Sequence, residues 1–185
     1  MPTDWSFRVK TQVVVLCLAA SAAISACGGV HRSEFVGPEA SRKAVRTAAV
    51  LPLENLTSLQ DGGRIVADQI SAELTGLNLK MTERGQAEAA MKKLDVVPGG
   101  TIDRLAAQRL GEILGVDAVL FGSIAEAQNG EAKLGPDHAT IGITVRMVVV
   151  KTGETLLAGS YTGTAGTETE AAHKAAGVIG QAVSQ

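Results

Sequence analysis

The sequence predicts an α/β domain in which helices pack on a mixed sheet, in the order β-α-β-α-α-β-β-β-α. Three observations carry this. Helical-period apolar stripes fill the first half of the domain. A nine-residue, nearly all-apolar run, Val116 to Ile124, has the character of a strand buried on both faces. Beyond it, Ile141, Ile143, Val145, Met147 and Val149 alternate with other residues at period two, and Lys151-Thr152-Gly153-Glu154 supplies a turn back.

The elements follow in order. Ala48 to Leu51 is a short apolar strand ended by Pro52, which has no amide for a ladder. Residues 54–58 read as loop, and Asp61-Gly62-Gly63 as a turn that offers an N-cap. Val66, Ile70, Leu74 and Leu77 form one helical stripe, with Gly76 as its stop. Leu77 to Met81 is a second short strand. Thr82 caps a helix lined by Ala87, Ala90, Met91 and Leu94, on which Glu88 and Lys92 stand at i, i+4. Pro98-Gly99-Gly100 breaks the chain. Thr101 then caps a third helix with Ile102, Leu105, Ala106, Leu110, Ile113 and Leu114 on its stripe and Gly115 at its end. Thr155 to Thr164 is the return strand of the hairpin, and Glu168 to Val183 an Ala-rich closing helix.

The amino terminus has a different character. Arg8, Lys10 and the α-amine outnumber Asp4, and Val13 to Ala23 is apolar apart from Ser21. That run is about half the ~20 residues a spanning helix needs, so it reads as a secretory signal. It ends in Ile24-Ser25-Ala26-Cys27, which resembles the bacterial lipobox. The lipobox implies cleavage before Cys27 and diacylglycerol on its thiol; the plainer alternative is an ordinary signal peptide beside a chance cysteine. Gly28 at the following position implies sorting to the outer membrane, with the domain facing the periplasm. The expected organisation is therefore a signal peptide over 1–26, a lipidated cysteine and flexible tether over 27–44, and one domain over 45–183. Read as a tether, the 16 residues from Gly28 to Lys43 would reach roughly 55 Å when extended.

Composition narrows the function classes. The chain has 185 residues, 45% hydrophobic and 19% charged, enough apolar material for a core. Cleavage before Cys27 removes Arg8, Lys10 and Asp4, moving the formal charge from −2 to −3. No basic excess marks a nucleic-acid partner. Only Phe35, Phe121 and Tyr161 remain as aromatic platforms, few for stacking a sugar or a base. No phosphate-binding loop, dinucleotide fingerprint or nucleophile elbow is present. His31, His138 and His173 are scattered, and Cys17 lies in the discarded leader, so no metal or cofactor is expected. Asp68, Glu73, Glu83 and Glu88 read as solvated helix-face acids, and Ser123 as a structural residue of its strand. Asn55-Leu56-Thr57 is a chance sequon. Gly111 and Gly115 suit close helix–sheet packing more than association. Arg146, mid-strand among aliphatics, points to solvent or to a partner.

Several segments together resemble one family. Ala48-Ala49-Val50-Leu51-Pro52-Leu53-Glu54-Asn55-Leu56-Thr57 resembles the VAVLPFENLT opening of the curli secretion lipoprotein CsgG and its relatives. Gly63 to Asp68 is similar to the helix that follows there, and Thr82-Glu83-Arg84-Gly85 to the start of the family's second helix. Leu110 to Ser123 resembles GxxLGADAVLxGS, and Arg146 to Glu154 resembles RLVDxxTGE. The match spans about Ala48 to Tyr161. The resemblance implies the periplasmic α/β domain also found in LpoB-like activators of penicillin-binding proteins and in the amino-terminal domain of TolB. It further implies secretion, assembly or activation of other envelope proteins, without catalysis and without a small-molecule substrate. The expected partners are the membrane, through Cys27, and other envelope proteins or further copies of the chain. An alternative is a subunit of a CsgG-type export channel. It is disfavoured because residues 125–139 are polar, carry Pro136 and cannot supply two barrel strands of ~9–11 alternating residues each.

Overall fold

Ala48, Ala49 and Leu51 are fully buried, as a short apolar run between polar flanks dictates. Ala48 and Ala49 belong to β2 (Thr47–Val50), which lies inside a seven-stranded sheet, and Leu51 follows directly. The computed structural model describes residues 31–57, 59–129 and 139–184. The remaining strands are β1 (His31–Val36), β3 (Glu54–Asn55), β4 (Lys80–Met81), β5 (Ala118–Asn129), β6 (Ala139–Val149) and β7 (Thr155–Ala165). The helices are α1 (Glu39–Ala44), α2 (Gly62–Gly76), α3 (Arg84–Lys93), α4 (Arg104–Leu114) and α5 (Glu168–Ser184).

The sheet order is β1-β7-β6-β5-β2-β4, with β3 also on β5. β1, β7, β6 and β5 each run antiparallel to their neighbour, whereas β2 runs parallel to β5 and to β4. The mixed sheet and the hairpin expected from alternation are thus present. Pro52 follows β2 as its missing amide requires, and the chain resumes pairing two residues later as β3, opposite Ser123 and Ile124.

Two layers cover the sheet. α2 and α5 pack on one face, where Val66, Ile70, Leu74, Ile143, Met147, Tyr161, Ala172 and Ile179 form the main core. α3 and α4 cover part of the other, burying Leu51, Met91, Leu110, Val119, Phe121 and Val148. Close approach needs glycine at two places. A Cβ on Gly163 would lie 2.1 Å from the Ala171 carbonyl of α5, and one on Gly111 would lie 2.2 Å from Val150 Cγ2. Gly111 therefore serves helix–sheet packing, and Gly115 closes α4 in the left-handed conformation at φ 66°.

Several expectations are corrected. Within the stretch expected to be a flexible tether, residues 31–36 form β1 and 39–44 form α1. The six residues of β1 pair register-by-register with β7, from His31↔Thr162 to Val36↔Leu157. This partner lies more than 120 residues away, so nothing local announced it. The N-cap of α4 is Asp103, whose carboxylate accepts from Ala106 N at 2.7 Å. Thr101 instead donates its hydroxyl to Glu54 at 2.7 Å. α4 buries its small side, Ala107 and Gly111, against the sheet, which turns Leu105 (63% exposed) and Ile113 (42%) out of the expected stripe. The strand expected over 77–81 shrinks to Lys80–Met81, because Leu77 caps α2. β5 runs past Ile124 through a bulge to Asn129.

Candidate interaction surface

The α3–α4 layer covers β5 and reaches over the Val148 end of β6; among the described residues the rest of that face of β6, and that of β7 and β1, has no helix over it. Cross-strand register places its side chains in rows. One row is Phe35, Ala158, Arg146 and Phe121; the next is Ser33, Ser160, Thr144 and Ser123. Phe35 is 55% exposed, Arg146 is exposed, and Phe121 tucks its ring under the edge of the helical layer. Thr144 and Ser160 share a hydrogen bond at 3.1 Å, so their hydroxyls are tied into the sheet. The result is a flat patch of small hydroxyl residues around one exposed aromatic and one arginine. Aromatic and Arg side chains are the types enriched where proteins bind one another.

What fixes β1 in place lies on the opposite side of the strand. Tyr161 is wholly buried and donates its hydroxyl to Glu34 Oε2 at 2.9 Å. Burial pushes the phenol far above its ordinary pKa, and the Glu34 carboxylate adds to the shift. Arg32 stands 3.6 Å from the same carboxylate. Gly159 makes room for this bond, since a Cβ there would meet the Tyr161 hydroxyl at 2.9 Å.

The other residues singled out in the sequence do not converge. Ser123 is half-buried on β5, level with Thr144 in the sheet. Asn55 organises its own turn, donating to Leu59 O at 2.6 Å and accepting from Thr57 N at 3.1 Å, so its sequon is structural. His173 faces Glu73 at 3.7 Å. Two of the helix-face acids are partnered: Asp68 with Arg84, and Glu88 with Arg64 at 2.9 Å rather than with Lys92. Arg146 does reach solvent. Cys27, the leader 1–26, Cys17 and His138 lie outside the described residues. Among the described residues no three His, Cys, Asp or Glu side chains cluster as a metal site, and no helix is long and apolar enough to cross a membrane. Phe35 is the surface residue that sequence reasoning missed. Its signal was the alternation in His31-Arg32-Ser33-Glu34-Phe35-Val36, too polar on both faces to stand out as a strand.

No protein-family model matches the chain, and no curated protein matches it in sequence. Solved structures do match. A PelC dodecamer from Paraburkholderia phytofirmans superposes with a TM-score of 0.61 at 16% identity, over 84% of this chain and 99% of that one. The fold is similar to that of PelC. Lipoprotein GNA1162 from Neisseria meningitidis follows, with a TM-score of 0.51 at 19% identity over 66% of this chain and 82% of its own. The LpoB C-terminal domain from Escherichia coli lies further off, with a TM-score of 0.43 at 17% identity over 63% and 81%.

Proposed function

We propose that this chain is a non-enzymatic lipoprotein of the outer membrane, anchored through Cys27 and facing the periplasm, that binds or helps assemble other envelope components. The observation that carries the reading is the uncovered sheet face around Phe35 and Arg146. A half-exposed ring and an arginine, set in a rigid four-strand lattice, are a pre-formed protein-binding patch. The lipobox at Ile24-Ser25-Ala26-Cys27 supplies the compartment. Two acyl chains on one residue give durable anchoring, since each buried methylene contributes about 0.8 kcal/mol. Similarity to a protein solved as a dodecamer supports further copies of the chain as one class of partner.

Photo-crosslinking residues placed at Phe35 and Arg146 in the native envelope test the reading. Each should trap a discrete envelope protein or a second copy, and Arg146→Glu should abolish the adduct formed from position 35. A patch that traps nothing above the level of an exposed helix site such as Lys93 would contradict it.

A further inference from the structure

The start of the domain puts a limit on where it works. β1 begins at His31, so Gly28, Gly29 and Val30 are all that separate the anchor residue Cys27 from a hydrogen-bonded strand. Four Cα steps span at most about 14 Å, against the roughly 55 Å that an unstructured tether of 16 residues would allow.

Register then says which end is held. His31 is level with Thr162 of β7, which is level with Gly142 of β6, which faces Glu126 of β5. β5 continues three residues beyond that level, to Asn129, and β6 starts opposite it at Ala139. Three strand residues are about 10 Å. The short leader to Cys27 therefore reaches just past the β5–β6 end of the sheet and cannot reach the other end, where β6 stops at Val149, seven residues or about 23 Å from the level of His31 at ~3.3 Å each. Among the described residues, the near end carries the hydroxyls of Thr140, Thr162, Thr164, Thr167 and Thr169 together with the carboxylates of Glu168 and Glu170 in the first turn of α5. Such groups suit a hydrated headgroup layer rather than the acyl core.

We infer that the end of the sheet where β1 starts, β7 finishes and α5 begins is held against the lipid headgroups, with the β6–β7 turn and α1 pointing away. This rests on the acylation of Cys27 proposed above and deepens that reading. The strands run away from the lipid surface, so the uncovered face carrying Phe35 and Arg146 looks along the membrane. Its partner is then a neighbour at the membrane, within on the order of 50 Å of the lipid: a further copy or another outer-membrane component.

The test uses the full-length lipidated protein in vesicles of phosphatidylethanolamine and phosphatidylglycerol that carry a headgroup acceptor dye. With Cys27 acylated and Cys17 removed, a single introduced cysteine is the one free thiol for a donor dye. Thr169→Cys marks the near end and Lys151→Cys the far end; both positions are exposed. Transfer to the lipid should be severalfold higher from position 169 than from 151. A 16-residue Gly/Ser insertion after Gly29 should erase the difference. Equal transfer from both sites in the native-length protein would overturn the orientation, as would a difference that survives the insertion. Failure of the protein to bind vesicles, or equal binding by Cys27→Ser, would instead overturn the anchoring itself.

Discussion

At the scale of single residues, two polar contacts tie the amino-terminal segments to the sheet. Tyr161 donates to Glu34 from a buried position and stays protonated well above its ordinary pKa of 10.0. Above pH 10 the unfolded tyrosine ionises while the folded one does not, so the unfolded state binds fewer protons and stability falls as pH rises. Below pH 10 this contribution is fully present. Tyr161→Phe should remove that alkaline slope in urea denaturation and cost about 1–2 kcal/mol at pH 8, first visible as faster amide exchange in β1. Asp117 is the second contact. Its carboxylate accepts from Arg46 N and Thr47 N, both at 2.9 Å, and these backbone bonds hold its pKa below the ordinary 3.8. A depressed carboxylate stabilises the fold above pH 4, and that contribution is lost as pH falls through the folded pKa. Asp117 is exposed, so after solvent screening Asp117→Asn should cost on the order of 1 kcal/mol at pH 7 and progressively less as pH falls below 4.

Secondary-structure elements meet at distances that small residues alone permit. Gly163→Ala would drive a methyl group into the Ala171 backbone carbonyl, which cannot swing aside as a side chain would. Overpacking of this kind costs about 1–3 kcal/mol, and thermal unfolding should show it. Gly177 lies in α5, the helix that carries Ala171, with nothing within 4 Å of an added Cβ, so Gly177→Ala should stabilise by about 0.5–1 kcal/mol. The pair separates packing from propensity at α5. The legibility of the sequence divides at this level too. The β6–β7 hairpin was readable because Ile141, Ile143, Val145 and Met147 bury every second residue against one layer of helices. β1 was not, because its pairing partner is distant, its outer face meets solvent, and the side chain that secures it is the remote Tyr161. The stripe on α4 misled for a related reason. Apolar periodicity gives a helix face, but the close fit of Ala107 and Gly111 decided the rotation and left Leu105 outside.

For the whole molecule, the reassignment of residues 31–44 from tether to strand and helix changes the mechanical picture. A domain on a long leash samples many orientations and can reach partners far from its membrane. If Cys27 carries the proposed anchor, a domain whose first strand starts four residues after it is confined to the surface and keeps one end down. The sheet face left bare by the α3–α4 layer then becomes a lateral surface, which suits association in the plane of the membrane. The interior carries no buried charged side chain among the described residues, and the site rests on shape and exposure rather than on perturbed acids. The lipobox that underlies the proposed anchor was legible in the leader, because it is a contiguous motif. The proposed binding face was not, because it is built from β1, β7 and β6, and emerges only once their register is known.

Intact-mass analysis of the protein extracted from its own outer membrane tests the central claim most directly. The account predicts a chain that begins at Cys27 and carries the added mass of a diacylglyceryl group. A chain that retains residues 1–26, or one that begins elsewhere with an unmodified Cys27 thiol, would contradict it.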